Sequence, residues 1–299
     1  MKNLKFLFPS ALASVMIFSA LNAQTVTQVT IGRSNENMQT DAITVVASTA
    51  NPFGNLDWGV EVKGIGLSAP TITLPGATNN GTINPLQHNG GVLGYNSNDA
   101  AWEYGSPNFN NIAMATGTDR NARFPFGSYT VSIPTFSDVT LNQTSWSHAA
   151  PVFTLTGGTW SGGVYLVDPT QVVTISTASN PFTFFNANAN GAINFAIYPP
   201  SGPALTDSII FYLDNIAANN FISYTINANT LTPGTDYSLY GSYAAILDQN
   251  STNGSFNAAY WEASTSLTIS AIPEPSTYAT FAGFAALGLA AWRRRRLAA

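Results

Sequence analysis

Between residues 24 and 271 the chain is a succession of short runs in which apolar and polar residues alternate. In residues 58–63, Trp58, Val60 and Val62 fall on one face and polar residues on the other; residues 129–133 and 193–197 repeat the pattern. A period of two residues is typical of a half-buried β-strand. The pattern predicts strands in these segments and a core position for Trp58.

Turn signals such as Ser161-Gly162-Gly163 and Pro233-Gly234 separate further predicted strands, at residues 26–31, 43–47, 164–167, 172–175, 208–213, 221–226, 237–247 and 266–269. Many short strands with such punctuation predict an all-β fold, an antiparallel β-sandwich of jelly-roll or fibronectin/Ig-like type. We expect one body domain over residues 24–271. Its segment of about 68–126 has fewer strand patterns, and we expect long loops there with one short helix around residues 99–103.

Composition and charge narrow the class of protein. Only 8% of the residues are charged, against about 25% in ordinary globular proteins, and Asn, Thr, Ser and Gly take their place. The chain has no cysteine, which excludes disulfides, thiolate metal sites and cysteine catalysis. From Gln24 to Ile272 there are four basic and fourteen acidic residues. Such a body repels phosphate backbones, so we do not expect nucleic acid as a partner.

Residues 1–23 have the pattern of a secretory signal peptide. Lys2 and Lys5 precede an apolar stretch, and Ala23 supplies a small residue at the expected cleavage site. We expect a signal helix that is removed before Gln24. The alternative is an uncleaved membrane anchor, although the stretch is short for a spanning helix.

The other end combines a short motif, an apolar segment and a basic run. Pro273-Glu274-Pro275 is followed by the apolar residues 278–292 and then by Arg293, Arg294, Arg295 and Arg296. The apolar segment would form a helix ~22 Å long, marginal for a ~30 Å hydrocarbon core, and we expect a transmembrane helix there. The positive-inside rule keeps the arginines in the cytoplasm and places residues 24–272 outside. An ordinary C-terminal anchor is the alternative, but it leaves the Pro-Glu-Pro triplet unexplained.

Residues 272–299 resemble the PEP-CTERM sorting signal, in which a Pro-Glu-Pro motif, a transmembrane helix and an arginine-rich end follow one another. The resemblance implies that exosortase, a membrane-embedded cysteine protease or transpeptidase, processes the chain, with Pro273, Glu274 and Pro275 as recognition residues. It also implies an association with exopolysaccharide and biofilm. We therefore expect an exported protein that is transiently anchored in the inner membrane and ends at the cell surface or outside the cell.

The body shows no catalytic motif. His88 and His148 are expected to be lone surface histidines, and neither G-x-S-x-G nor G-x-x-x-x-G-K-[ST] occurs in the sequence. We expect no catalytic residue, no metal-binding residue and no enzyme activity. Structural calcium is the one cofactor that the sequence leaves open, although turn hydrogen bonding is the favoured role of the loop residues concerned, Asp168, Asp207, Asp214 and Asn215.

Aromatic residues set among Asn, Ser and Gly are better candidates for a binding site. An exposed Trp or Tyr offers a flat apolar face to a sugar ring, and nearby amides and acids bind its hydroxyls. We expect Trp102 and Tyr104 to be exposed in the loop-rich segment, with Glu103 as the third candidate sugar-binding residue. For each of the aromatic residues Trp146, Trp160, Tyr260 and Trp261, filling of the core is the favoured interpretation and sugar binding is the alternative.

Residues 231–237, Leu-Thr-Pro-Gly-Thr-Asp-Tyr, are similar to the E–F corner of fibronectin type III domains. The resemblance implies that the Tyr237 hydroxyl is tied back to the preceding loop where a strand begins.

Together these features predict a structural or adhesive protein of the cell surface or extracellular matrix, in contact with exopolysaccharide. One alternative is an exported carbohydrate-active enzyme, which needs two carboxylates about 5–10 Å apart in a cleft. Another is a matrix protein that assembles with itself through sheet edges.

Overall fold

A computed structural model describes residues 24–48, 56–75, 92–97, 99–106, 120–122, 124–183, 191–212, 220–272 and 286–287. Most of these residues lie in strands, which confirms the all-β class. The predicted helices at 1–23 and 278–292 lie outside the described residues, apart from residues 286–287. Between the last two strands lies one short 3₁₀ helix, Thr252–Gly254. The strands are β1 Thr25–Gln39, β2 Val45–Ala47, β3 Leu56–Ile65, β4 Thr71–Thr73, β5 Gly94–Asn96, β6 Ala101–Ser106, β7 Gly127–Ser132, β8 Val139–Gln143, β9 Thr154–Thr156, β10 Gly158–Ser161, β11 Val164–Val167, β12 Val173–Ser176, β13 Gly191–Tyr198, β14 Thr206–Tyr212, β15 Ser223–Ile226, β16 Thr235–Asn250 and β17 Phe256–Ala271.

The largest sheet is built around β17, the last strand of the body. The strand order is β14-β13-β16-β17-β1-β3-β6-β5, with β2 paired to β1 and β10 paired to β11. β16 lies along one side of β17 over almost its whole length. On the other side β1 pairs with its first part, and β11 pairs with residues Thr268 to Ala271. Among the described strands, every hydrogen-bonded path from β14-β13-β16 to β1-β3-β6-β5 therefore runs through β17.

The prediction of an antiparallel architecture is wrong for two strand pairs. β1 and β11 both run parallel to β17, whereas the other described pairs are antiparallel. A hairpin forces two consecutive strands to be antiparallel, but these pairs join strands that are far apart in the chain, and no turn fixes their direction. The large sheet is mixed.

Two three-stranded sheets, β15-β12-β9 and β4-β7-β8, cover the same face of the large sheet. The first sheet packs on β13, β16 and β17 through a core that includes Ile175, Phe195 and Leu239. The second packs on β1 and β3 through a core that includes Ile31, Trp58 and Val131. Trp58 is fully buried, as the alternation predicts. The assignment to a jelly-roll or a fibronectin/Ig-like type stays a prediction.

Two local expectations have opposite outcomes. The tyrosine corner is confirmed, since the Thr232 amide donates a 2.9 Å hydrogen bond to the Tyr237 hydroxyl where β16 begins. The short helix expected around residues 99–103 is wrong: residues 99–100 form a turn and β6 starts at Ala101. Pairing of β6 with both β3 and β5 overrides the local preference there.

Candidate functional site

Strand β6 carries the three candidate sugar-binding residues, and its alternation divides them between two faces. Its register with β3 sets Trp102 beside Val62 and Tyr104 beside Val60, so both rings turn toward the core. Tyr104 is only 2% exposed and meets Trp58 edge-on at 6.4 Å between ring centroids. The expectation that Tyr104 is exposed is therefore wrong, and Trp102 is half-buried against the same core. Glu103 points to the opposite face.

The exposed ring beside Trp102 is Tyr95, which sequence analysis missed. Tyr95 on β5 is the register partner of Trp102 and is 53% exposed. The two ring centroids lie 5.3 Å apart with 60° between the ring planes. The alternation in Gly94-Tyr95-Asn96 is the only sequence signal for this strand, and three residues are too few to distinguish it from a loop. Tyr95 and Trp102 thus form an aromatic pair at the edge of the large sheet, called here the Tyr95–Trp102 step, in which the Tyr95 ring is open to water.

Glu103 belongs to a small acidic group on the other face of the large sheet. The Asn96 amide donates to both Glu103 carboxylate oxygens, at 3.2 and 3.1 Å, and to Asp99 Oδ2 at 2.7 Å. Glu61 is the cross-strand partner of Glu103. The Lys63 ammonium group forms a 2.9 Å ion pair with the carboxylate of Glu61. Burial raises the pKa of Glu103 to about 7 and also raises the pKa of Glu61. A carboxyl of this kind exchanges a proton near neutral pH.

A second acidic row crosses the middle of the same face. Ser34 on β1 is the register partner of Asp57 on β3 and of Glu262 on β17. Burial raises the pKa of Asp57 well above its ordinary value and that of Glu262 to about 7. The Tyr240 hydroxyl donates to Glu262 Oε1 at 2.7 Å, whereas the buried Ser34 hydroxyl has no hydrogen-bond partner among the described residues.

The described part of the chain contains no group of three or more His, Asp or Glu residues placed to hold a metal ion. The calcium candidates that it includes make local contacts: Asp168 Oδ1 accepts from the amide and hydroxyl of Thr170, and Asp207 Oδ2 accepts from the Tyr198 hydroxyl at 3.4 Å. Asp214 and Asn215 lie outside the described residues.

Two buried arginines lie on the covered face, a feature that sequence analysis missed. Arg33 is fully buried and donates to Gln143 Oε1 at 2.7 Å, Asn121 Oδ1 at 2.9 Å and the Phe124 carbonyl. Arg120 donates to the Ser34 carbonyl at 2.7 Å and lies 4.7 Å from the centre of the Trp261 ring. Burial lowers the pKa of each arginine to about 10, where both keep their charge at neutral pH. Their bonds tie β1 to β8 and to residues 120–124, which is a structural role.

The outward faces of both covering sheets consist of hydroxyl and amide side chains. They alternate with buried residues such as Val131 and Ile175. Across the strands some of them bond to one another, as Thr130 does with Thr140 at 3.1 Å. None of these outward strand positions is charged, and they are Thr71, Thr73, Ser128, Thr130, Ser132, Thr140, Asn142, Thr154, Thr156, Thr174, Ser176, Ser223 and Thr225.

The remaining candidates from the sequence lie in or against the core. His148 is not a surface residue: it is half-buried, accepts a 3.2 Å bond from the Trp146 indole at Nδ1 and lies 2.8 Å from the Tyr243 carbonyl at Nε2. Burial lowers its pKa to about 4, so the ring is neutral. Trp160 packs against the core and Trp261 is part of it. His88 lies outside the described residues.

The sorting motif continues directly from the sheet. Ala271 ends β17, fully buried, and its carbonyl accepts a 2.6 Å hydrogen bond from the Gly234 amide. The Ile272 amide donates to the Val167 carbonyl at 2.9 Å. Residues 273–275 and the arginines at 293–296 lie outside the described residues.

Comparison with protein families identifies residues 271–296 as a PEP-CTERM protein-sorting motif. The chain therefore carries a PEP-CTERM sorting motif at these residues, and the motif supports exosortase-dependent export to the cell surface. No curated protein matches the chain. Among the residues that the structure describes, no helix has the length and apolar character needed to cross a bilayer.

Proposed function

We propose that this exported protein is a structural or adhesive component of the cell surface or extracellular matrix that contacts exopolysaccharide of low charge. The observation that carries the proposal is the pair of uncharged hydroxyl faces on the covering sheets. Each hydrogen bond to a glycan hydroxyl contributes only about 0.5–1.5 kcal/mol, but a repeating polymer engages many of them at once. The acidic body disfavours a strongly anionic polymer.

The Tyr95–Trp102 step supports the same proposal with a different contact. The exposed Tyr95 ring offers an apolar face to a sugar ring, and the half-buried Trp102 holds it in place. In this proposal Trp102 is a positioning residue, Tyr104 belongs to the core, and Glu103 lies on the other face of the sheet.

The test is co-sedimentation of the protein released from the producing cells with the exopolysaccharide of those cells. Tyr95→Ala is expected to weaken retention about fivefold, corresponding to a loss of about 1 kcal/mol. Ile43→Ala, which removes another exposed apolar side chain, is the matched control. Thr130→Val together with Thr174→Val removes two hydroxyls at nearly constant shape and is expected to weaken retention. The control, Thr130→Ser together with Thr174→Ser, keeps both hydroxyls and is expected to be retained like the wild type.

The same experiment separates the alternatives. Absence of retention for the wild-type protein contradicts the proposal. Sedimentation without any polysaccharide points to self-assembly. Shortening of the polymer during incubation points to an enzyme, for which the neighbouring carboxyls of Glu61 and Glu103 are the first candidates.

A further inference from the structure

The start of the sorting motif is part of the folded sheet. The matched region begins at Ala271, the last residue of β17. Ala271 lies between Thr235 on β16 and Val167 on β11, which are its register partners on either side. Its carbonyl and the Ile272 amide are both hydrogen-bonded to these neighbouring segments. The sorting motif therefore begins inside the sheet, at the end of β17.

The distance between the body and the apolar segment is correspondingly short. Five residues separate Ile272 from Tyr278, where the apolar segment begins. Fully extended, this stretch spans at most about 20 Å. A protease that binds its substrate as an extended strand needs the backbone groups of several consecutive residues. Those of Ala271 and Ile272 are already engaged by Gly234 and Val167.

We propose that this end of the sheet, formed by Val167, Gly234 and Thr235, is a clamp on the processing motif. Exosortase then acts on chains in which Ala271 and Ile272 have left the sheet, and processing follows the local opening of the β17 end. The enzyme breaks one peptide bond of the tail; the acyl carbon passes to water or to an acceptor amine, and the new amine leaves with the tail. The proposal rests on the exosortase route that the motif supports.

The first test lengthens the stretch between Ile272 and the apolar segment. Gly-Ser-Gly-Ser is inserted between Ile272 and Pro273, and the loss of the tail is followed by pulse-chase in the producing cells. Because the end of a strand opens at lower cost than its middle, the expected gain is moderate, about threefold or more in the rate of processing. The matched control is the same insertion between Gly162 and Gly163, a turn where an added Cβ meets nothing within 4 Å. This control is expected to be processed at the wild-type rate.

The second test locks the clamp. Thr235 and Ala271 are directly opposed on antiparallel strands, where Cβ atoms lie about 4.5–5.5 Å apart, near the range of a disulfide. Because the chain has no cysteine, Thr235→Cys with Ala271→Cys gives one unambiguous cross-link. The cross-linked chain is expected to be processed at least about threefold more slowly than either single variant, and the four-residue insertion is expected to restore the rate. The Ala271→Cys single variant controls for recognition, since residue 271 belongs to the matched region.

Equal processing rates in the inserted, cross-linked and control chains would overturn the clamp while leaving the sorting route intact. Retention of the tail by every chain, wild type and insertion variant included, would overturn the sorting route and the clamp with it.

Discussion

Replacing Glu262 by Gln is expected to stabilise the protein above about pH 7 and to leave its stability nearly unchanged near pH 4.5. Glu262 is 4% exposed, and burial raises its pKa to about 7, although hydrogen bonds from Ser242 and Tyr240 act in the other direction. Its ordinary pKa is 4.5. Between these two values the folded protein holds a proton that the unfolded chain releases, so the free energy of unfolding falls as the pH rises from 4.5 to 7.

Above about pH 7 the folded protein has lost the whole stabilising contribution of the protonated Glu262 carboxyl. The difference between the two pKa values converts to roughly 3 kcal/mol, at about 1.4 kcal/mol for each tenfold change in proton affinity. Gln keeps the volume of the side chain and an acceptor for the Tyr240 hydroxyl, but it has no proton to lose. We therefore expect Glu262→Gln to be about 2–3 kcal/mol more stable than wild type at pH 8.

The assay is urea unfolding followed by tryptophan fluorescence at pH 4.5, 6 and 8 on protein released from the cell surface. Asp236→Asn removes an exposed carboxyl from the adjacent strand β16 and serves as control, with an expected change within about 0.5 kcal/mol. A difference between wild type and Glu262→Gln that is the same at pH 4.5 and pH 8 would refute the reasoning. So would a variant that is less stable than wild type at pH 8.

Two further predictions concern the hydrogen bond of Tyr237 and the packing of the core around Gly241. Tyr237→Phe removes the hydroxyl that accepts a hydrogen bond from the Thr232 amide. Calorimetry should show a loss of about 1 kcal/mol in the free energy of unfolding and a Tm lower by about 2–4 °C. An unchanged Tm would contradict a stabilising role of this hydrogen bond. Gly241→Ala places a Cβ 2.6 Å from the Phe153 ring and should cost about 1–3 kcal/mol in urea unfolding. Gly59→Ala, whose Cβ has no neighbour closer than 3.8 Å, is the control, and equal losses in the two variants would contradict the packing argument.

The sequence predicts those parts of the fold that depend on local pattern. The sequence predicts a strand at residues 164–167 and β11 lies at Val164–Val167, because turn residues flank this apolar run on both sides, Ser161-Gly162-Gly163 before it and Asp168-Pro169 after it. The Tyr237 corner is equally local. Strand partners are not local, and nothing in the alternation of β1 and β17 indicates that they pair in parallel.

The same limit explains the errors at the candidate site. Tyr104 turns inward because β6 pairs with β3, and a short aromatic segment among Asn and Gly gives no hint of that partner. Arg33 was within reach of the sequence, since it shares its parity with the apolar Val29 and Ile31 and therefore their buried face. Its charge argued for a surface position, and the carbonyl and amide oxygens that satisfy it come from about a hundred residues away.

The position of β17 has a consequence for how the chain acquires its structure. A secreted chain emerges from its N-terminus, so the strand that joins both halves of the sheet arrives last. Until then β1 and β16 each lack the strand that lies between them, although β1 can pair with β3 and β16 with β13. The two cores then lack Ala259 and Leu267, which β17 supplies to one core each. Pairing between segments more than 200 residues apart is slow, because a long loop must close before the contacts form. The final folding step therefore waits for the strand whose last residue, Ala271, is also the first residue of the sorting motif.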